Sequence, residues 1–152
     1  MAAVLVLVAA TAFFVAVEFS LVAVDRNEVE IAAGGGDKRA AMVSASLKRL
    51  SFHLSGVQLG ITVCSVGIGV LAEPNVASLL RSPIEAIVGT ANAETVSVLL
   101  ALLIATVVQM VVGELVPKAI AVARPLGTAR FRAPAERVYS GVFRPVIVLF
   151  GG

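Results

Sequence analysis

The chain has 152 residues, of which 59% are hydrophobic and only 14% charged, with a formal net charge of +2. That is far more apolar than a soluble domain of this length, and it describes a membrane protein. The small net charge argues against nucleic acid as a partner, an aromatic content of 5% without tryptophan offers no stacking platform, and the single cysteine, Cys64, excludes an intrachain disulfide.

In chain order, the first predicted element is a span over residues 2 to 24, whose one charge before its end is Glu18. A carboxylate at that depth costs about 3 kcal/mol unless it is paired, protonated or turned toward a polar cavity, so Glu18 is placed away from lipid. A signal peptide is the competing reading of this segment; the lack of a basic region before the apolar run and the glutamate inside it argue against one. Residues 26 to 49 mix charge with apolar residues at helical spacing and carry a glycine break at 34 to 36, which predicts juxtamembrane helices.

The second span covers residues 50 to 72, without an acidic or basic residue other than His53. On it Gln58, Thr62 and Ser65 fall at i, i+4 and i+7, along one face. That stripe either lends oxygens to an ion site or hydrogen-bonds between helices. Gly56 and Gly60 form a GxxxG pair, read as close helix packing. His53 is read as interfacial, with no second histidine to make a metal pair, and Cys64 as a small core residue. Residues 73 to 94 are expected to connect this span to the next, with Arg81 as their one basic residue.

The third span runs from residue 95 to about 117 and closes on the sequence GELVPK, residues 113 to 118. Pro117 has no N–H to give to the carbonyl four residues back, which belongs to Gly113. The freed oxygen beside the Glu114 carboxylate is half of a site for a hard cation, since Mg²⁺ and Ca²⁺ take oxygen ligands. A plainer use is also open: Glu114 and Lys118, at i and i+4 in the favourable order, neutralise one another at the membrane boundary. Residues 124 to 150, punctuated by Pro125, Pro134 and Pro145, predict a second juxtamembrane region, whose arginines face lipid headgroups or solvent.

Lysine and arginine crowd the segment between spans one and two and the tail after span three, which places the N-terminus outside and the C-terminus in the cytoplasm. The expected fold class is all-α integral membrane, with three transmembrane helices and cytoplasmic juxtamembrane helices. Without a cysteine or histidine cluster, a hard divalent ion is favoured over Zn²⁺ or Cu⁺. No HExxH, GxSxG or paired aspartates occur, so an enzyme is not expected.

The segments FFVAVEFSLVAVDR, VQLGITVCSVGIGVLAEP and VVGELVPKAIAVARP, in this order and spacing, resemble the transmembrane domain of the CNNM/CorC family of magnesium transport proteins, in its bacterial hemolysin-related branch. The resemblance implies a homodimer of three-helix subunits in the cell (inner) membrane, exporting Mg²⁺, with Co²⁺ as a second candidate cargo and Na⁺ entry as the coupling step. It implies metal ligands at Gly113, Glu114, Ser65 and Glu18 and a helix break and gate at Pro117 and Lys118; Ser20, together with Gln58 and Thr62 from the stripe read on helical spacing, is a candidate for further polar lining. It departs at Val15, where many relatives carry a serine; Ser20, five positions on, turns to a different face. Family members continue into cytoplasmic CBS modules, so the chain is expected to be a truncated form of a longer protein. The competing function is a Mg²⁺-sensing membrane regulator or scaffold that does not itself transport.

Overall fold

The computed structural model describes residues 1–151, and among them the chain runs from helix to helix with no strand. Helix α1 (Ala2–Ala23) is followed by α2 (Arg26–Gly34) and α3 (Lys38–Lys48), then by α4 (Leu50–Val88) and α5 (Thr90–Val108). A π-helical segment, Gln109–Leu115, carries α5 into α6 (Val116–Ala123), and α7 (Pro125–Val142) and α8 (Arg144–Gly151) complete the described chain. Among the described residues three stretches are long and apolar enough to cross a membrane: α1, α4 and the continuous run Thr90–Ala123.

The largest departure from the sequence reading lies at residues 73 to 94, which are not a separate connection. Helix α4 continues through them to Val88, and the chain reverses at Gly89, whose φ of 77° only glycine adopts without strain. At 1.5 Å per residue the 39 residues of α4 extend about 58 Å, nearly twice the roughly 30 Å of a hydrocarbon layer. Pro74 and Pro83 lie inside this helix without ending it. Each removes one hydrogen bond, but the Ala, Leu, Arg and Glu residues around them are strong helix formers and the helix resumes after each proline.

The juxtamembrane helices start where their caps dictate. Asp25 accepts hydrogen bonds from the Asn27 and Glu28 amides at 2.7 and 3.3 Å, and Asp37 from the Arg39 and Ala40 amides at 2.9 and 3.1 Å, satisfying the first free donors of α2 and α3. Asp37 also pairs with Arg130, which ties the start of α3 to α7.

Helix α1 is the central post. Phe14, Val17 and Leu21 pack into a core with Val43 and Leu47 of α3 and with Val57 and Cys64 of α4. The expected close approach of α1 and α4 takes place at glycine: a methyl added at Gly60 would stand 2.7 Å from the Phe14 ring, and one at Gly67 would stand 2.9 Å from Leu7. Gly56 receives Ile147 of α8 in the same way, and its carbonyl accepts a hydrogen bond from the Tyr139 hydroxyl at 2.9 Å. The third stretch is the outermost. It buries 17% of its apolar window against 33% for α1, so most of its apolar surface faces away from the chain.

Candidate ion site between the spans

The π-helical segment begins six residues before Leu115 and carries the GELVPK element into the bundle. At its end the Val116 N–H donates to the Val111 carbonyl, five residues back. That step uses the donor which Val112 would have in an α-helix, while Gly113 loses its own α-helical donor to Pro117. The sequence predicts that Gly113 lacks its α-helical donor; the wider turn takes that of Val112 as well.

Gly113 has a second role. A methyl there would stand 2.9 Å from Gln109 Oε1, so the bare backbone makes room for the Gln109 amide to lie against it. Both Oε1 and Nε2 of Gln109 are buried without a hydrogen-bond partner, which leaves a donor and an acceptor available to a polar occupant. Gln109 is the lone polar side chain between Thr106 and Glu114, a signal in the sequence that the reading above does not use.

Glu114 sits where two cavities meet. One, of about 260 Å³, is lined by Glu18, Glu114 and Lys118, so the carboxylates of the first and third spans face the same space. The other, of about 360 Å³, is lined by Ser65, Thr106, Gln109, Glu114 and Glu73. The pairing of Glu114 with Lys118 does not form: the ion pairs among the described residues are His53–Glu136 and Asp37–Arg130. Lys118 instead places Nζ 4.4 Å from the centre of the Phe19 ring, a cation–π contact on α1.

The polar stripe of α4 does not act as one unit. Gln58 donates to Glu18 Oε1 at 3.5 Å, a long bond that holds the first-span carboxylate toward α4. Thr62 turns its hydroxyl back onto the Gln58 carbonyl at 2.9 Å and lines neither cavity. Ser65 reaches the larger cavity and so joins Glu114 but not Glu18. Ser20 lies elsewhere: it is buried, donates to the Val17 carbonyl at 3.0 Å, and lines a small cavity with Ser46 and Glu136. Its position five residues past Val15 on a helix turns it away from the Glu114 side, as the geometry of the sequence requires. Val15 itself lines the cavity shared by Glu18 and Glu114, with an apolar side chain where a hydroxyl would supply a ligand.

Among the described residues no three His, Cys, Asp or Glu side chains gather closely enough to hold a metal by themselves. The side chains that line the two cavities at Glu114 offer carboxylate, hydroxyl and amide oxygens and no thiol or imidazole, a set of the kind that hard divalent cations take.

A second polar cluster escapes the sequence reading altogether. His53, expected at the interface, places Nδ1 2.5 Å from Oε1 of Glu136 on α7. Ser140 donates to the same oxygen at 2.6 Å and Ser46 to Oε2 at 3.3 Å, so one carboxylate ties α3, α4 and α7 together. Burial pushes the Glu136 carboxyl up, but hydrogen bonds from His53, Ser140 and Ser46 and the charge of His53 outweigh it and hold the group below the ordinary carboxylate value. A carboxyl lowered in the folded state stabilises it above the unfolded value and loses that contribution as the pH falls through the folded one. The protection of α7 amides, measured against the intrinsic exchange rate at each pH, is therefore expected to be high near neutrality and to fall below the ordinary carboxylate value, and Glu136→Ala is expected to lower that protection at neutral pH.

Three apolar stretches whose carboxylates and amides converge on shared cavities define a polytopic helical membrane protein with an acidic site between its spans. The family model of the Cyclin M transmembrane N-terminal domain matches residues 2–152, and the chain belongs to this family. It is 45% identical over 152 residues to the UPF0053 protein MT1890 of Mycobacterium tuberculosis, covering 99% of this chain and 33% of that protein. It is 36% identical over 148 residues to the UPF0053 protein YhdT of Bacillus subtilis, covering 97% of this chain and 32% of the relative. The UPF0053 protein sll0260 of Synechocystis is 31% identical over 147 residues, covering 96% and 33%. The chain thus spans about a third of the length of these curated relatives. The family is one generally linked to the transport of Mg²⁺ and other divalent cations.

Proposed function

We propose that the protein carries Mg²⁺ across the cell membrane through the space around Glu114, as an exporter with Na⁺ entry as the coupling step and Co²⁺ as a secondary cargo. The observation that carries this reading is the place of Glu114, unpaired with Lys118 and at the junction of one cavity holding Glu18 and another holding Ser65. In this reading Glu114 and Glu18 supply negative charge, the peptide oxygens of Val112 and Gly113 and the hydroxyl of Ser65 supply neutral ligands, and water fills the remaining positions. The helix runs on through Pro117 where the sequence suggests a break, and it is the π-helical turn with the N–H missing at Pro117 that would let the inner end of the third span move against α1, opening the site to alternate sides. Both cavities lie against the outermost stretch, and a second copy packed there would enclose them, in line with a homodimer. The basic juxtamembrane helices face the cytoplasm, and CBS modules follow them in the full-length protein.

Liposomes containing the protein and a Mg²⁺ indicator test the reading directly. Flux down an imposed gradient supports transport, whereas Mg²⁺ binding without flux supports a sensor or scaffold and overturns it. Pro117→Ala restores the missing N–H and allows the last turns to close as an α-helix. The expected result is a fall in flux of roughly tenfold, the scale of losing one neutral ligand or its support, with no loss of folded protein.

A further inference from the structure

The larger Glu114 cavity does not end among the ligands described above. Its far wall is Glu73, which lies eight residues, or about 12 Å along α4, beyond Ser65. Glu73 also lines a further cavity of about 210 Å³, whose walls include Arg81, Glu94 and Ser97. Glu73 therefore stands between two spaces in the way that Glu114 does, and the three cavities form a series with a carboxylate at each junction. Ser97, on the opposite wall, is 2% exposed, and its hydroxyl has no hydrogen-bond partner. A buried hydroxyl facing a polar cavity without a partner is one that an occupant is placed to satisfy.

We propose that Glu73, Glu94 and Ser97 form a second cation site, for a hydrated divalent ion, connected through Glu73 to the space around Glu114. Two carboxylates face one guanidinium there, and among the described residues Arg81 forms no ion pair with either. The cavity thus has a net negative charge, and a concave acidic wall concentrates cations near it. The ion keeps its waters, one of which meets the Ser97 hydroxyl while the others bridge to the carboxylates, as suits a cation that dehydrates reluctantly. The inference rests on the Glu114 reading for the onward path of the ion, and on the proposed orientation for placing this site at the outer side, where it would act as the vestibule of the pathway.

The test is an equilibrium titration of the protein in lipid nanodiscs with Mn²⁺ as a paramagnetic probe. Wild type is expected to show a tighter and a weaker class of bound ion. The double variant Glu73→Gln with Glu94→Gln is expected to weaken the second class at least tenfold and to leave the first in place. Arg81→Gln, which removes the opposing charge, is expected to tighten the weaker class by roughly fivefold, the effect of one unit charge on a divalent ion at several ångströms. A weaker class that is absent from wild type, or unmoved by either change, overturns the proposal; the gain at Arg81 cannot be produced by misfolding. Glu114→Gln reports separately: it should abolish the tighter class alone, and a tighter class that survives it contradicts the Glu114 reading instead.

Discussion

Glu114→Gln is expected to reduce Mg²⁺ flux in liposomes at least about 100-fold while leaving the folded protein intact. Glu114 is exposed in the single chain, and the magnitude is that of the proposed closed site, where an ion held between protein walls loses its carboxylate partner at a cost of about 3 kcal/mol or more. Because Glu114 is not bonded to Lys118, no structural ion pair is broken by the change, and thermal unfolding should be nearly unaffected. Glu18→Gln should have a smaller effect, since its carboxylate is already shared with the Gln58 amide. Parallel flux and melting measurements decide the matter: equal flux from wild type and Glu114→Gln removes this carboxylate from the pathway, and a large fall in melting temperature assigns it a structural role.

Gly60→Leu is expected to be the most damaging single change to the fold. Its first side-chain carbon would stand 2.7 Å from two carbons of the Phe14 ring. The ring cannot swing aside freely, for it is buried and packs on Tyr139 with 4.7 Å between centroids. The helices must separate, and overpacking on this scale with a full leucine costs more than about 3 kcal/mol. Gly69→Leu is the matched control on the same helix, because a methyl there meets nothing within 4 Å. Melting in detergent should fall sharply for the first variant and stay level or rise slightly for the second, as leucine is the better helix former. Similar behaviour of the two would mean that α1 and α4 are not in contact as described.

The spans, the glycine contacts and the missing N–H of Pro117 were legible in the sequence because each rests on local chemistry. Apolar length, a missing side chain and a missing N–H act wherever the helix is placed. The π-helical turn was not legible: Gln109 through Leu115 is compatible with an α-helix, and the register shift arises where Gln109 packs on the backbone of Gly113. The stripe of Gln58, Thr62 and Ser65 was correct as geometry but not as a unit. Helical periodicity fixes the face on which a side chain lies, and cannot foresee that Thr62 bonds its own helix while Gln58 reaches Glu18. His53 and Glu136 are 83 residues apart and meet only in the folded chain, so their pairing leaves no local trace. The extent of α4 beyond residue 72 was not legible, because a hydropathy span ends where the apolar run ends, whereas the helix continues across Pro74 and Pro83 to Val88.

The most direct measurement is an anomalous-scattering map from crystals grown with Mn²⁺ in place of Mg²⁺. A peak is predicted within roughly 2.2 Å of a Glu114 carboxylate oxygen and of the peptide oxygen of Val112 or Gly113, with Lys118 remaining over Phe19. A map without a peak there, together with Glu114 drawn onto the Lys118 ammonium, would contradict the account.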